Sequence, residues 1–514
     1  MALAESRISS DDVVAIPTVL SVEEVIEGSL GRMTWTQILQ AILASIPAVF
    51  DNQQTLISVF TDAQPAWYCN NTRSCDSFTN ICTLPRTDWD WVGNKRNTII
   101  SDWDLECASS FVKGLPATSY FLGCLLSGYV VASLGDTSLG RKNLLVISCM
   151  IMSLAALGSG FAPGFWCYCV IRFICGAGRV SITISSFVLL SEKVGKRWRG
   201  QIVLLGFISL TFGLLSLTGI AYSTRNSSWS ALYIWTSIPG VICSIMVHFF
   251  LFESPRWLFL QGRQNEAMSV LKRIGTMDHL DLTLAQNTLK IEQGPSSNVD
   301  PFASLKTLVK EKWALHRLTV TMVLSFGVGM MYFGMFLGVG GLGQNIYISS
   351  IFNALIFLFS SLLTYLFWIQ RCNRRSSVLG FCIISGTSSI LSVVAGQHRK
   401  GIHVGLELVA IFCACMVFNI LFMYTVELFP TCVRSTATSL SRQALLLASV
   451  FVPVLVVIGR RNVKFCPTIF GVTIIICGLL VMTLPETRGK VLCDTMEEQQ
   501  VAAKDTTTTL FGCI

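Results

Sequence analysis

Charged residues are scarce in this chain. Only 13% of its 514 residues are Asp, Glu, Lys or Arg, whereas soluble domains carry about 25%. The scarcity excludes an ordinary soluble protein, and a hydrophobic content of 52% also excludes a disordered chain. Because the basic residues are spread between apolar segments, the net charge of +8 does not indicate nucleic-acid binding. The composition predicts a protein that lies in a lipid bilayer.

Other absences narrow the function. The five histidines form no cluster with metal-ligand spacing, and no nucleophile motif stands in a polar segment, so neither an enzyme nor a metal site is predicted. A Gly-x-x-x-x-Gly-Lys loop is missing, which excludes ATP as a cofactor. The first 37 residues are polar and rich in acidic side chains, so they are not a signal peptide.

Apolar blocks of about 20 residues, the length that crosses a bilayer, follow one another along the chain. Six blocks precede a polar segment and six follow it, which predicts an all-α membrane protein with twelve transmembrane helices in two halves. The predicted parts are a tail 1–37, a first half 38–252 with a large loop 61–113, a helical linker 253–317, a second half 318–484 and a tail 485–514.

The distribution of basic residues predicts the orientation in the membrane. Basic residues at 141–142, 193–199 and 371–375 lie in loops on the same side as the linker. By the positive-inside rule that side, with both termini, is cytosolic. The basic residues at 399–400 and 460–464 fall on the opposite face and are exceptions.

The opposite face carries features of an oxidising, glycosylating compartment. Asn70 and Asn226 begin Asn-x-Ser/Thr sequons in loops assigned to it. Four cysteines in the large loop predict two disulfides with three possible pairings. These cysteines are Cys69, Cys75, Cys82 and Cys107.

Several motifs resemble those of known carriers. The loop Gly135-Asp-Thr-Ser-Leu-Gly-Arg-Lys142 resembles the signature of the major facilitator superfamily, although Asp136 stands one residue further from Arg141 than usual and the second half has Gln370 in place of the Asp. Further motifs, in order along nearly the whole chain, resemble the organic ion transporters of solute-carrier family 22. They are Pro65-Ala-Trp-Tyr-Cys69, Ser101-Asp-Trp-Asp-Leu-Glu-Cys107, Glu253-Ser-Pro-Arg-Trp-Leu258, Glu427-Leu-Phe-Pro-Thr431 and Leu484-Pro-Glu-Thr487. The runs at 51–55 and 138–142 are most similar to the plant organic cation/carnitine branch.

The resemblance implies the major facilitator fold and a cytosolic gate of carboxylate and guanidinium groups at helix ends. Static anchoring is the alternative role for each pair. Asp136 and Arg141 are expected to latch onto neighbouring helix ends, and the expected ion pairs are Glu192 with Arg199, Glu253 with Arg256 and Glu427 with Arg434.

Four charged residues inside the spans indicate function, because each costs about 2.5–3.5 kcal/mol to insert. They are Asp51, Arg172, Glu407 and Arg442. Asp51 and Glu407 are the candidates for proton coupling, while sodium coupling and facilitated diffusion stay open. By the resemblance, Arg442 lies where the family places a residue that recognises the charge of the substrate, and a guanidinium fits a carboxylate.

The resemblance therefore implies a secondary active or facilitative carrier of small organic cations or zwitterions, carnitine-like, working as a monomer by alternating access. The ammonium group is expected over Tyr332, with Phe333 and Phe336 beside it. The remaining substrate-binding candidates are Asn353, Asn419, Asp51 and Arg172. A sugar or organic anion carrier and a non-transporting receptor are the alternatives. The plant branch favours the vacuolar membrane, and the plasma membrane is the alternative.

Overall fold

The computed structural model describes most of the chain. The described residues are 22–70, 81–134, 139–275, 303–338, 345–368, 371–395, 400–460, 462, 464–488 and 496–498. Asp136, Cys75, Gln370 and the predicted helical run of the linker at 282–291 lie outside these ranges.

The first half is a bundle of long helices that follow a short N-terminal helix. The helices are α1 (Val22–Leu30), α2 (Trp35–Leu56), α3 (Ser58–Thr61), α4 (Ile99–Asp102), α5 (Ser110–Leu134), α6 (Arg141–Gly160), α7 (Phe165–Arg179), α8 (Ile182–Glu192), α9 (Arg199–Ser223) and α10 (Trp229–Phe250). Helices α7 and α8 form one membrane span that is interrupted at Val180 and Ser181.

The linker and the second half repeat this plan. The helices are α11 (Pro255–Leu260), α12 (Gln264–Ile274), α13 (Ala303–Lys310), α14 (Lys312–Leu337), α15 (Ile346–Leu363), α16 (Arg374–Ala395), α17 (Lys400–Leu428), α18 (Thr431–Gly459) and α19 (Phe465–Leu479). Helix α15 continues as a π-helix over Thr364–Trp368.

The predicted fold class is confirmed. Among the described residues, ten helical stretches are long and apolar enough to cross a membrane, and α2 and α5 bring the number to twelve. Helix α2 is less apolar because it buries polar side chains, among them Gln40, Asp51 and Gln54. A helix in a membrane tolerates such groups only where it faces protein, so α2 lies inside the bundle.

The N-terminal segment holds structure that the sequence analysis did not predict. Helix α1 packs its apolar residues Val25, Ile26 and Leu30 against Met268 and Leu271 of α12. The residues from 22 onward are therefore packed against the linker and do not form a free tail.

The large loop between α2 and α5 forms a small outer domain. Strands β1 (Trp67–Cys69) and β2 (Trp89–Trp91) pair antiparallel, and a disulfide joins Cys82 to Cys107. Cys69 is disulfide-bonded as well. Both sequon residues, Asn70 and Asn226, are exposed.

Trp103 attaches this outer domain to the first half. Its ring packs edge-on against Phe165, Tyr168 and Trp229 at centroid distances of 6.2, 5.4 and 5.2 Å. The indole nitrogen of Trp229 also donates to Asp102 at 3.0 Å. These contacts place the outer domain on α7 and α10.

The two halves meet along α5 with α18 and along α9 with α15. Gly114 allows close approach at the outer end, since a Cβ there would lie only 3.0 Å from the backbone of Val454. Farther along, the hydroxyl of Thr118 donates to the carbonyl of Val450 at 3.2 Å. The site described next lies in this seam.

Candidate functional site

A buried ion pair stands where α2 meets the interrupted span. Asp51 is 0% exposed, and Arg179, the last residue of α7, binds it with both ends of its guanidinium. Nε lies 2.5 Å from Oδ1 and Nη2 lies 3.0 Å from Oδ2. The hydroxyl of Thr183 also donates to Oδ2. The carboxylate is thereby fully neutralised and hydrogen-bonded, as a buried charge must be.

Arg179 is not among the site residues predicted from the sequence. It follows Arg172 by seven residues, two helical turns, so both guanidinium groups leave the same face of α7. This seven-residue spacing could have identified Arg179 from the sequence, because it indicates a second buried cation on the face of α7 that meets α2.

Arg442 reaches this region from the second half. Its Nη2 donates to the carbonyl of Val180, at the interruption of the span, over 3.1 Å. Arg442 also lies within electrostatic range of Arg179 and Asp51. Within the described part of the chain, a backbone carbonyl is its only hydrogen-bond acceptor. Asp51 and Arg179 cancel each other, and among the described residues no further carboxylate is hydrogen-bonded to Arg442.

An aromatic cluster lies on the second-half side of this charge. Tyr332 stacks on Phe418 with centroids 4.7 Å apart, and Phe336 and Phe357 approach it to 4.8 and 6.2 Å. Phe333 lies 5.3 Å from Tyr332. Tyr332 is close enough to Arg179 to interact with it electrostatically. The predicted Tyr332, Phe333 and Phe336 are therefore brought together beside the ion pair.

The two asparagines predicted for the site are both buried. Asn353 lines a narrow crevice between the halves, together with Phe60, Leu214 and Phe336. Its amide nitrogen has no hydrogen-bond partner among the described residues. Asn419 donates to the hydroxyl of Ser361 at 3.1 Å, and its carbonyl oxygen is unsatisfied among them. Both side chains retain hydrogen-bonding capacity for a ligand.

Arg172 lies deeper in the first half than Arg442. Its guanidinium stands 4.3 Å over the ring of Tyr120, and Nη2 donates to the carbonyl of Gln54 at 3.3 Å. Tyr120 separates it from Arg179, which lies 5.9 Å from the same ring. The described contacts thus connect Arg172 with the ion pair but not with the aromatic cluster.

Glu407 lies apart from these residues. It is buried in the second turn of α17, and its carboxyl oxygen Oε1 lies 3.7 Å from Nε2 of His403. The structure therefore does not bring the two candidates for proton coupling, Asp51 and Glu407, together.

At the end of the first half that faces the linker, carboxylates bind differently from the expected pairs. Glu253 accepts from the backbone N–H of Lys142 at 3.0 and 3.2 Å, and so caps α6 next to Arg141. Arg199 and Arg256 both donate to Glu27 of α1, at 3.0 and 2.9 Å.

The expected pairs Glu192 with Arg199 and Glu253 with Arg256 are therefore wrong. Both were predicted from nearness in sequence alone. Glu192 interacts with the guanidinium groups of Arg141 and Arg256. Arg199, its expected partner, binds the N-terminal helix, and so does Arg256, the expected partner of Glu253.

The second half has an equivalent arrangement. Glu486 accepts from the backbone N–H groups of Arg374 and Arg375 at 2.8 and 3.0 Å, and so caps α16. Glu427 pairs with Arg374 at 3.2 Å and accepts from Thr487 at 2.7 Å.

The expected pair of Glu427 with Arg434 is wrong. The guanidinium of Arg434 donates to the carbonyl of Phe429 at 3.2 Å, within its own helix start, while Arg374 occupies Glu427. Because Glu253 and Glu486 cap corresponding helices, the two halves show the internal repeat that carriers of this architecture share.

Comparison with known proteins agrees with this architecture. A family model described as "Sugar (and other) transporter" matches residues 51–499. Organic cation/carnitine transporter 2 of Arabidopsis thaliana is 45% identical over 495 residues, which cover 93% of this chain and 94% of that protein. Organic cation/carnitine transporter 3 of the same plant is 46% identical over 491 residues, covering 94% of each.

More distant matches include Homo sapiens solute carrier family 22 member 13, which is 27% identical over 439 residues, 84% of this chain and 75% of that protein. Among solved structures, the inward-open conformation of the xylose transporter XylE from E. coli aligns with a TM-score of 0.63. It covers 88% of this chain and 97% of that chain at 16% identity, which supports the fold alone.

Proposed function

This chain belongs to the sugar (and other) transporter family of the major facilitator superfamily, in the branch of the plant organic cation/carnitine transporters. It is therefore a transmembrane transporter, and we propose that it carries small organic cations or zwitterions of the carnitine type. The names of its relatives support this substrate class. Alternating access between the two halves is the proposed mechanism.

The observation that carries the proposal is the positive charge of Arg442 near Arg179, which also interacts electrostatically with Tyr332 of the aromatic cluster. A substrate carboxylate would neutralise the guanidinium and form charge-assisted hydrogen bonds with it. A quaternary ammonium cannot donate hydrogen bonds, and the aromatic rings of the cluster would hold it by cation–π contacts. A zwitterion therefore fits the site better than a neutral sugar.

We propose further that transport is coupled to protons through Asp51. Protonation of this carboxylate would release Arg179 from a bidentate ion pair and leave two neighbouring cations, Arg179 and Arg442, to attract the carboxylate of the substrate. Sodium, or Glu407 as the proton carrier, are the alternatives that the transport experiments below distinguish.

For location we propose the vacuolar membrane, with cytosolic termini and a monomeric carrier. Exposed sequon residues and a disulfide in the outer domain support an extracytosolic compartment reached through secretion. A fluorescent fusion in plant cells tests this assignment, and labelling of the plasma membrane would contradict it.

Substitution of Arg442 tests the substrate class. Loss of a charged hydrogen bond costs about 1.5–3 kcal/mol, so Arg442→Ala is expected to raise the KM for carnitine in proteoliposomes by about 10-fold to 100-fold. Tetraethylammonium has no carboxylate, so its uptake should be unchanged or faster. Arg96→Ala, at a side chain that is 73% exposed on the outer domain, is the control.

Unimpaired carnitine kinetics in Arg442→Ala, at equal protein level, would contradict the role of Arg442. Glucose in the same assay tests the sugar alternative, and a dicarboxylate tests the organic anion alternative. Binding of a substrate without flux would instead favour a receptor.

A further inference from the structure

The outer ends of the two halves meet at a polar contact between Asp62 and Arg460. Asp62 follows α3 in the first half, and Arg460 follows α18 in the second. Both terminal nitrogens of the Arg460 guanidinium donate to the backbone carbonyl of Asp62, each at 3.4 Å. Arg460 is one of the exceptions to the positive-inside rule, and this contact gives it a reason to lie on the outer face.

The carboxylate of Asp62 is buried in the same place. The residue is 8% exposed. Its Oδ1 accepts from the hydroxyl of Thr61 at 2.7 Å and from that of Tyr168 at 3.5 Å. Arg172 and Arg460 attract this carboxylate from opposite halves. Tyr233 also interacts with it electrostatically, and the hydroxyl oxygen of Tyr233 lies 2.7 Å from that of Tyr168.

Aromatic contacts between the halves surround this polar pair. Phe60 stacks on Tyr347 at a centroid distance of 5.7 Å, and Tyr222 meets the same ring edge-on at 5.4 Å. Phe60 also lines the crevice that contains Ser350 and Asn353. A substrate that enters from the outer face must part these residues to reach the site.

We propose that Arg460 and Asp62 form the polar lock of an extracytosolic gate, and that Asp62 makes this gate respond to the pH of the outer compartment. The proposal rests on the alternating-access part of the proposed function and not on the identity of the substrate.

The sign of the pH response follows from burial. In the closed gate, burial raises the pKa of Asp62 to about 6, although Thr61, Arg172, Arg460 and Tyr168 each lower it. In an open, hydrated gate the carboxyl returns to its ordinary pKa of about 3.9. The closed gate thus binds the proton more tightly, so acidification from pH 7 towards pH 4 stabilises the closed gate by up to about 100-fold.

Labelling of a cysteine beneath the gate tests the lock. Ser350 lies in the second turn of α15 near its outer end and is 3% exposed, so Ser350→Cys reacts with a charged methanethiosulfonate when the outer gate opens. The protein is held in lipid nanodiscs, and peptide mass spectrometry separates this cysteine from the native ones. The double variant Ser350→Cys with Arg460→Ala is expected to be labelled about 10-fold faster or more than Ser350→Cys alone.

Two further variants complete the labelling test. Arg460→Lys retains the charge but not the two-pronged hydrogen bond, and an intermediate rate is expected even where the alanine variant does not fold. Lys464→Ala, at an exposed basic residue of the same loop, should label like the parent. Parent-like labelling of both Arg460 variants would overturn the lock.

The pH response is tested with Asp62→Asn, which imitates the protonated carboxyl. The ratio of the parent labelling rate to that of Asp62→Asn cancels the pH dependence of the reagent. It should be well above one at pH 7.5, fall by about tenfold by pH 5 and continue towards one at lower pH. A ratio that does not change with pH would overturn the pH response, and a failure of carnitine transport would leave both readouts intact.

Discussion

Lys193 is fully buried at the end of the first half that faces the linker, just after α8. Its Nζ donates to the side-chain oxygen of Gln40 at 2.9 Å. The same oxygen accepts from the backbone N–H of Phe252 at 2.9 Å, so Gln40 joins Lys193 to the chain that leaves α10. Burial lowers the pKa of Lys193 to about 7, against the attraction of Glu253 and Glu192.

This pKa predicts a pH-dependent stability. Between about pH 7 and pH 10 the unfolded chain binds a proton at Lys193 that the folded chain has released, so stability rises with pH in that window. Lys193→Met is expected to flatten the rise in apparent Tm between pH 7 and pH 9 in detergent. An unchanged slope in this variant, relative to the parent and to Lys95→Met on the exposed outer domain, would contradict the assignment.

Asp51 gives the second prediction for a single residue. Asp51→Asn cannot change protonation, so proton-driven accumulation of carnitine in proteoliposomes should fall by about 10-fold or more, while exchange of labelled for unlabelled carnitine continues. Asp90→Asn on the exposed hairpin is the control.

Each alternative for coupling has its own outcome. Accumulation that survives in Asp51→Asn but is lost in Glu407→Gln would move coupling to Glu407. Accumulation that follows only a sodium gradient would exclude protons.

Charged residues inside spans could be found from the sequence, but their partners could not. The insertion cost of a charge marks Asp51, Arg172 and Arg442 without any structure. Which guanidinium reaches Asp51 depends on the rotation of α7 against α2, and that is decided by packing. Arg179 was missed for this reason, although it shares a face with Arg172.

At the scale of elements, α1 links the start of α9 to the linker helices α11 and α12. One oxygen of Glu27 accepts from Arg199 at the start of α9 and from Arg256 in α11. The apolar face of the same helix covers Met268 and Leu271 of α12. The helix therefore couples the loop that follows the interrupted span to the linker.

Removal of this charge should loosen the linker. These ion pairs are partly exposed, so Glu27→Gln is expected to cost about 1 kcal/mol and to speed tryptic cleavage at Lys272 and Arg273, in the last turn of α12, by about fivefold. The control is Glu266→Gln, which breaks an exposed pair with Arg263. Equal cleavage of the two variants would argue against a role for Glu27.

The errors in the expected gate pairs have a common cause. Neighbours in sequence, such as Glu253 and Arg256, were paired, although a carboxylate beside a helix start is attracted to free backbone N–H groups. Glu253 and Glu486 both make that choice. The motifs identify charged residues that do form contacts at the helix ends, but the geometry of the helix ends gives these residues other partners than the expected ones.

At the scale of the whole molecule, composition and hydrophobic periodicity were sufficient for the architecture. Twelve spans in two halves follow from physical demands that act on every block alike, namely the thickness of the bilayer and the cost of charge. The contacts between the halves do not follow from composition or hydrophobic periodicity, because a carrier must make and break them. Arg460 violates the orientation rule in the sequence and is explained only by Asp62 on the opposite half.

The outer domain has a practical consequence. Trp103 and Asp102 fix it to α7 and α10 of the first half, and its disulfide from Cys82 to Cys107 closes within that half. An antibody fragment raised against this domain would hold a single half. It would serve as a fiducial for electron cryomicroscopy that enlarges the particle and leaves the rocking of the carrier free.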